Sequence, residues 1–148
     1  MKYILLLGRI LFSLIFLMSG LVGHFKPETA QYAASAGVPA ASVLVPIAGI
    51  IAILGALSII LGFKAKVGGW LLVVFLVPVT FMMHRFWATS DLMMQQMQMA
   101  MFMKNMSMLG GALIITYFGA GPLSIDNRIR IKNDEEPKSD EIKYPRAV

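Results

Sequence analysis

Long apolar runs alternate with short polar segments along this chain. The four longest extend over roughly Ile4 to Gly23, Ser42 to Phe63, Val67 to Met83 and Met97 to Gly119. A helix rises about 1.5 Å per residue, so each run can cross a hydrocarbon core of about 30 Å. Apolar residues fill successive positions in these runs, which lack the alternation that a membrane barrel strand needs. The pattern predicts an all-α fold, an integral membrane four-helix bundle.

The segments between the runs predict how the chain is organised. The Ala-rich middle of the first loop, HFKPETAQYAASAGVPAAS, favours a short interfacial helix. The short link GFKAKVGG makes the second and third spans antiparallel neighbours. The sequence after Asp126 is rich in both charge signs and poor in apolar residues, which is typical of disorder. We therefore predict a transmembrane domain over residues 1–126 and a disordered cytoplasmic tail over residues 127–148.

Composition and charge agree with a membrane protein and predict its orientation. Of 148 residues, 57% are hydrophobic and 14% are charged, so the apolar surface exceeds what one small soluble domain can bury. With a cytoplasmic amino terminus, the cations near the inner helix ends are Lys2, Arg9, Lys64, Lys66, Arg128, Arg130 and Lys132. Those near the outer ends are only Lys26, Arg85 and Lys104. This excess predicts that both termini are cytoplasmic in a multi-pass protein of the inner (plasma) membrane.

Two other interpretations of the basic residues and the first span are less favoured. A cleaved signal peptide is disfavoured because Arg9 interrupts the first span and no small-x-small cleavage site follows it. Binding of nucleic acid is disfavoured because the cations sort by membrane side and are not interleaved with aromatic residues. The lipid bilayer is therefore the first expected partner.

Residues spaced by three and four positions share one face of a helix, and small residues on that face let helices approach closely. The predicted inward stripes are Arg9, Ser13, Phe16, Gly20 and His24 on the first span; Gly49, Ala52 and Ala56 on the second; Gly69, Val73, Val77, Thr80 and His84 on the third; and Met97, Ala100, Lys104, Ser107 and Gly111 on the fourth.

Polar side chains gather in the predicted outer half of the bundle. Lys104 and Asn105 interrupt the apolar fourth span, and His24, His84 and Trp87 lie at a similar depth. Cations, imidazoles and an amide around an apolar pocket suit a ligand with hydrogen-bond-accepting oxygens, such as a quinone or an oxidised sulfur species. The alternative is structural: Lys104 and Asn105 cap loops and bond across helices, while Trp87 anchors the protein at the membrane interface.

Arg9 is the ionisable residue of the first span. The four spans contain no acidic residue, so a buried guanidinium must find oxygen elsewhere. We expect Arg9 near the cytoplasmic helix ends, within reach of Asp126 or of helix-end carbonyls. There it acts as an anchor or supports a ligand site from the inner half.

Methionine is concentrated in one part of the chain, since ten of the twelve methionines lie between Met82 and Met108. One helical stripe there holds Met94, Gln98, Met101, Asn105 and Met108. Thioethers near a histidine would suit Cu(I), whereas flexible packing is the ordinary role of methionine. The packing role is favoured, and no metal site is assigned.

The order of these motifs resembles the DoxX family of small four-helix membrane proteins. The resemblance extends over roughly Gly8 to Asp126 and rests on GRILFSLIFLMSG, MHRFW, FMKN and LGG in that order. It implies that Lys104 and Asn105 match a recurrent Lys–Asn pair of the family. Many relatives carry a glutamate three residues after a helix-two glycine, where this chain has Ala52, so an intramembrane acid is missing.

The same resemblance assigns the remaining polar residues to family positions. It implies that Arg9 matches the first-helix arginine and that His84 and Trp87 match the loop motif.

The resemblance implies a redox-associated membrane subunit that works with a soluble or membrane redox partner. Some relatives are a subunit of thiosulfate:quinone oxidoreductase, and others accompany responses to quinones, thiols or oxidative stress. The sequence has no flavin, haem, iron–sulfur or dinucleotide motif, so no cofactor is built in and a bound quinone or a partner would carry electrons. Whether the chain is an enzyme, as a subunit of a quinone-linked oxidoreductase, and whether it forms a homo-oligomer stay open.

Two alternatives remain. One is a non-enzymatic scaffold that holds a soluble redox or stress protein through the charged segment Asn133 to Val148. The other, less favoured, is a transporter or a Cu(I)-handling module.

Overall fold

The protein is described by a computed structural model over residues 2–135, and that range contains helices and turns but no strand. The helices are α1 (Lys2–Met18), α2 (Pro27–Ser35), α3 (Ala41–Leu61), α4 (Ala65–Met83), α5 (Leu92–Phe118) and α6 (Ile125–Glu135). A π-helical turn, Ser19–Gly23, extends α1, and a 3-10 turn, Phe86–Ala88, precedes α5. The short α2 confirms the helix expected in the first loop.

Within residues 2–135, four segments are long and apolar enough to cross a membrane, as the sequence predicts. They are Lys2–Gly23, Ala41–Leu61, Ala65–Ala88 and Leu92–Phe118. Because successive spans alternate in direction, α1 begins at the same end of the bundle at which α6 lies. We call the end that holds Lys2, Gly62 and Ser124 the terminal face, and the end that holds His24, Ala40 and Asp91 the loop face. The cytoplasmic location of the terminal face stays a prediction.

Local hydrogen bonds set the ends of the spans. The Asp91 carboxylate accepts a hydrogen bond from the Met94 N–H at 2.7 Å. This cap makes α5 begin at Leu92, earlier than the predicted start near Met97. At the end of α3, Gly62 adopts φ +65°, and its N–H donates to the carbonyl oxygen of Ile59 at 3.2 Å.

The helix α6 occupies the first part of the predicted tail. The Ser124 hydroxyl accepts a hydrogen bond from the Asn127 N–H at 3.1 Å, which satisfies a donor of the first turn. The expectation of disorder therefore does not hold over residues 127–135, which are helical. The rest of that expectation, over residues 136–148, lies outside the described residues, and the division into domain and tail stays a prediction.

Each spanning helix packs mainly against its neighbour in the chain: α1 against α3, α3 against α4, and α4 against α5. Glycines allow these close approaches. A Cβ added at Gly68 would lie 3.0 Å from the carbonyl oxygen of Gly55, and one at Gly20 would lie 2.9 Å from that of Gly49. The buried core between the helices consists of Phe16, Ala52, Ala56, Ile59, Leu72, Phe75, Leu76 and Ala112.

The predicted inward faces are confirmed on α1 and α3. On α1 the stripe from Arg9 to Gly20 is buried and His24 is half-buried, and on α3 the three predicted residues, Gly49, Ala52 and Ala56, are buried. On α4 the prediction holds for Gly69 and Thr80.

The predicted faces are wrong in part of α4 and along most of α5. Val77 is exposed, and the α4 core is formed by Leu72, Phe75 and Leu76. On α5 the predicted stripe is rotated, because Ala100, Lys104 and Ser107 are exposed whereas Asn105 and Ala112 are buried.

Candidate functional site

A cavity of about 130 Å³ lies between the helices in the half of the bundle nearer the loop face. Its apolar wall is formed by Ile15, Phe16, Phe75, Leu76, Val79 and Met108, and its polar wall by Ser19, His24, His84, Lys104 and Asn105. The structure thus brings together four of the six predicted ligand residues. The other two, Arg9 and Trp87, do not border this cavity.

The π-helical turn holds His24 at the cavity. The carbonyl oxygen of Ser19 accepts a hydrogen bond from the His24 backbone N–H at 3.3 Å and lies 2.9 Å from Nδ1 of the ring. A carbonyl oxygen can only accept, so Nδ1 carries the proton and Nε2 of the neutral ring keeps its lone pair. The ring also packs on Phe75, with centroids 5.5 Å apart.

His84 is held by a chain of side chains that links α4, α5 and α2. Its Nδ1 lies 2.9 Å from Oε1 of Gln98, and Nε2 of Gln98 donates to the Tyr32 hydroxyl at 3.2 Å. With the Gln98 amide in this orientation, its Oε1 accepts from Nδ1 of His84. Nε2 of a neutral His84 ring therefore also keeps a lone pair. Within residues 2–135, no side chain or backbone group forms a hydrogen bond with Nε2 of either histidine.

Asn105 is the buried polar residue of α5, with only 4% of its surface exposed. It borders the cavity, and its side-chain amide forms no hydrogen bond with any group in the described part of the chain. The amide atoms are not among the fully enclosed polar atoms of the described residues. A ligand oxygen or a water in the cavity can therefore reach them and form the missing hydrogen bonds.

Lys104 lies at the cavity edge, but the expectation that it is buried is wrong. The side chain is exposed, and its Nζ lies 3.3 Å from the sulfur of Met101, a weak acceptor. The rotation of α5 explains the difference, since Asn105 takes the inward position that the stripe assigned to Lys104. The ammonium therefore marks the side of the cavity that opens toward the outside of the bundle.

Trp87 belongs to an aromatic cluster with Phe86 and Phe102, none of which borders the cavity. Its ring packs edge-on against Phe86 and Phe102, with centroids 5.0 and 5.8 Å away, and 53% of the residue is exposed. This exposure favours the role of an interface anchor over that of a ligand residue.

Arg9 lies in the half of the bundle nearer the terminal face and reaches an oxygen there, as expected. Its Nη2 donates to the carbonyl oxygen of Leu123 at 2.8 Å, and Asp126 is near enough for a favourable charge interaction. Its Nε and Nη1, and the hydroxyl of Ser13, are buried without a partner among residues 2–135. Arg9 thus ties α1 to the turn after α5.

Four residues that line the cavity or hold its histidines were not predicted from the sequence: Gln98, Tyr32, Ser19 and Phe75. Gln98 was visible as a polar residue seven positions before Asn105, a spacing that returns to the same helix face. Tyr32 and Ser19 contribute through partners far away in the chain or through an irregular turn, for which periodicity gives no signal.

Comparison with known proteins identifies a family. A family model described as DoxX matches residues 4–85, which is more than half of the 148-residue chain. The matched range contains Arg9, His24 and His84, whereas Trp87, Lys104 and Asn105 follow it. No curated protein and no solved structure shows a significant match.

Proposed function

The chain belongs to the DoxX family of redox-associated membrane proteins, and we propose that it binds a small oxygen-bearing ligand in the cavity near the loop face. The ligand is a quinone head group or an oxidised sulfur species. The observation that carries the proposal is Asn105, a residue only 4% exposed whose amide has no partner among the described residues and which borders the same cavity as two histidines and a lysine.

The size of the cavity restricts the ligand. Its volume of about 130 Å³ is well below the roughly 300 Å³ at which pockets for drug-sized molecules begin. A small oxyanion or a single quinone ring suits this space, whereas a long isoprenoid tail does not. We infer that such a tail would extend out of the cavity beside Lys104, whose exposed side chain lies at the side of the cavity that opens to the outside of the bundle.

The polar groups of the cavity match ligand oxygens. Lys104 supplies a positive charge, Asn105 can donate and accept, and the two imidazoles can each take up a proton at Nε2. None of the described residues that line the cavity is acidic, so nothing there repels an anion. These properties favour a ligand that carries negative charge or gains it on reduction.

Reduction of a quinone takes two electrons and two protons. The chain carries no cofactor motif, so the electrons come from a partner protein or leave to one. The part that this chain can perform is to hold the ring or the oxyanion and to exchange protons through His24 and His84. We therefore propose the role of a binding subunit of a redox assembly.

The test is equilibrium binding by protein reconstituted in lipid nanodiscs, with a short-chain benzoquinone and with thiosulfate as probes. Asn105→Leu keeps the branching of the side chain, with a larger volume, and removes the amide, so we expect binding to weaken about 10- to 100-fold, equivalent to roughly 1.5–3 kcal/mol. Lys104→Met removes the charge at the edge and should weaken thiosulfate more than the neutral quinone. Ser107→Ala is the control, because Ser107 is exposed on the same helix and does not border the cavity.

Two outcomes of this experiment would overturn the proposal. Folded wild-type protein that binds neither probe in lipid has no ligand site of this kind. An equal loss of binding in Asn105→Leu and Ser107→Ala would also contradict it, because the loss would then not depend on a residue that borders the cavity.

The helix α6 supports a second candidate, a scaffold for a soluble redox or stress protein. None of its residues is buried, and it presents both basic and acidic side chains. Deletion of residues 133–148 separates the two candidates. It should abolish partner capture by a scaffold and leave the binding of quinone or thiosulfate unchanged.

A further inference from the structure

A second and larger cavity, of about 560 Å³, opens at the terminal face. It is a groove between the start of α4 and the turn that joins α5 to α6, and it shares no lining residue with the cavity near the loop face. Its charged and amide side chains are Lys64, Lys66, Asp126, Asn127 and Arg130. We call it the basic groove.

The turn after α5 forms one wall of the basic groove. Gly119 and Gly121 adopt φ +77° and +69°, a region that L side chains rarely enter, so this wall carries backbone and no side chain at these two positions. The stem of Lys66 runs beside Gly119, with Cε 3.5 Å from the position of an added Cβ. The absence of side chains on the wall leaves room for Lys66 to lie along it.

The charge of the basic groove is positive. Among residues 2–135, three cations and one carboxylate line it, and that carboxylate, of Asp126, is already engaged by the backbone: it accepts from Lys64 N–H at 2.7 Å and from Ala65 N–H at 3.0 Å. Arg130 is positioned by its donation to Oδ1 of Asn127 at 2.9 Å, which uses one of its five N–H groups. In the part of the chain that the structure describes, the ammonium of Lys66 forms no hydrogen bond or ion pair.

The basic groove lies at the level where the membrane spans end. The span of α4 begins at Ala65 and that of α5 ends at Phe118. Tyr117 and Phe118 are strongly exposed, with rings 4.8 Å apart, and exposed aromatic residues of this kind mark the border between hydrocarbon and headgroups. Lipid headgroups are therefore the molecules that surround the groove.

We propose that the basic groove binds the phosphate group of an anionic phospholipid. Phosphate chemistry follows from Lys66 and Arg130, which keep unused N–H donors at the groove. Lys64, whose ammonium lies 5.8 Å from the centroid of the Phe63 ring, adds positive charge. A lipid is favoured over soluble phosphate because Val67, Phe118 and Pro122 add an apolar wall to the groove at headgroup depth. The proposal does not depend on ligand binding near the loop face.

The experiment measures which lipid the full chain retains. The protein is reconstituted in nanodiscs that contain equal amounts of phosphatidylcholine and phosphatidylglycerol, transferred to mild detergent, and analysed for retained lipid by native mass spectrometry. We expect wild type to retain phosphatidylglycerol several-fold over phosphatidylcholine. Lys64→Gln combined with Lys66→Gln should remove this preference, and Arg130→Gln should reduce it.

The matched control is Lys2→Gln combined with Arg128→Gln, which removes two charges from the same face but none from the groove. It should keep the preference for phosphatidylglycerol. Equal retention of the two lipids by wild type overturns the proposal. An equal loss in both double variants also overturns it, because general attraction to the surface would then explain the preference. The thermal unfolding temperature of each variant shows whether it is folded. We expect the variants with glutamine at position 64 to fold, because the hydrogen bond from Lys64 to Asp126 is donated by the backbone N–H, which glutamine retains.

A second arm distinguishes lipid phosphate from free phosphate. Inorganic phosphate is titrated onto protein in nanodiscs of phosphatidylcholine alone, and the binding is followed by calorimetry. Binding of inorganic phosphate by a protein that shows no lipid preference would overturn the lipid assignment. Competition of inorganic phosphate with phosphatidylglycerol for the same groove would support it.

Discussion

The guanidinium of Arg9 donates from Nη2 to the carbonyl oxygen of Leu123 at 2.8 Å, which joins α1 to the turn that follows α5. Leu123 adopts φ +57°, a left-handed conformation that costs a non-glycine residue roughly 1–2 kcal/mol. The same turn is fixed from the other side by the Asp126 N–H, which donates to the carbonyl oxygen of Gly62 at 2.8 Å. The buried cation thus joins the helices at the end of the bundle opposite to the cavity near the loop face.

Replacement of Arg9 should therefore affect stability more than ligand binding. We expect Arg9→Met to lower the free energy of unfolding in detergent by about 1–2 kcal/mol, because the Leu123 carbonyl loses its donor. The effect stays moderate since Nε and Nη1 are buried without a described partner, and their removal recovers desolvation free energy. Quinone or thiosulfate binding that disappears at unchanged stability would instead make Arg9 a ligand residue.

Gly62 should be much less tolerant of a side chain than Gly37, although both adopt a positive φ. A Cβ at Gly62 would collide with Cβ of Ser124 and lie 2.5 Å from Nη1 of Arg9, whereas nothing lies within 4 Å at Gly37. We expect Gly37→Ala to cost about 1 kcal/mol for the backbone conformation and Gly62→Ala a further 1–3 kcal/mol for overpacking. Thermal unfolding of both variants in the same detergent measures this difference, and equal losses would contradict the packing at Gly62.

Gly49 controls the distance between α3 and the histidine of the cavity. A Cβ added there would lie 2.5 Å from Cβ of His24, an atom fixed to the backbone at the end of the π-helical turn. We expect Gly49→Ala to separate the two helices, to destabilise the protein and to weaken ligand binding. Gly110→Ala is the control, since nothing lies within 4 Å of its added Cβ and a helical alanine is favoured over glycine by about 0.5–1 kcal/mol.

The orientation in the membrane can be measured with single cysteines, because the chain has none of its own. Ser90→Cys lies at the loop face and Asn133→Cys in α6 at the terminal face. We expect a membrane-impermeant maleimide to label position 90 in intact cells and position 133 only after permeabilisation. Labelling of position 133 in intact cells would reverse the predicted orientation.

The sequence by itself determined the number of spans, their approximate limits and the inward faces of α1 and α3. These faces are legible because Arg9, Ser13 and Gly20 on α1, and Gly49 on α3, interrupt otherwise large apolar residues at helical spacing. In a membrane, hydrophobicity does not separate the interior from the lipid-facing side, so only small and polar residues mark the interior.

Tertiary structure alone decided the rotation of α5 and the partners of its polar residues. Methionine, glycine, serine and alanine lie on all sides of this helix, so two stripes one residue apart fit the sequence equally well. Contacts with neighbouring helices choose between them, because Thr116 and the Ala112 backbone must fit against Gly69 and because Gln98 meets His84. This rotation of α5 places Asn105 inside the bundle and Lys104 at the edge of the cavity. Helical periodicity cannot distinguish these adjacent residues when similar residue types lie on every side of the helix.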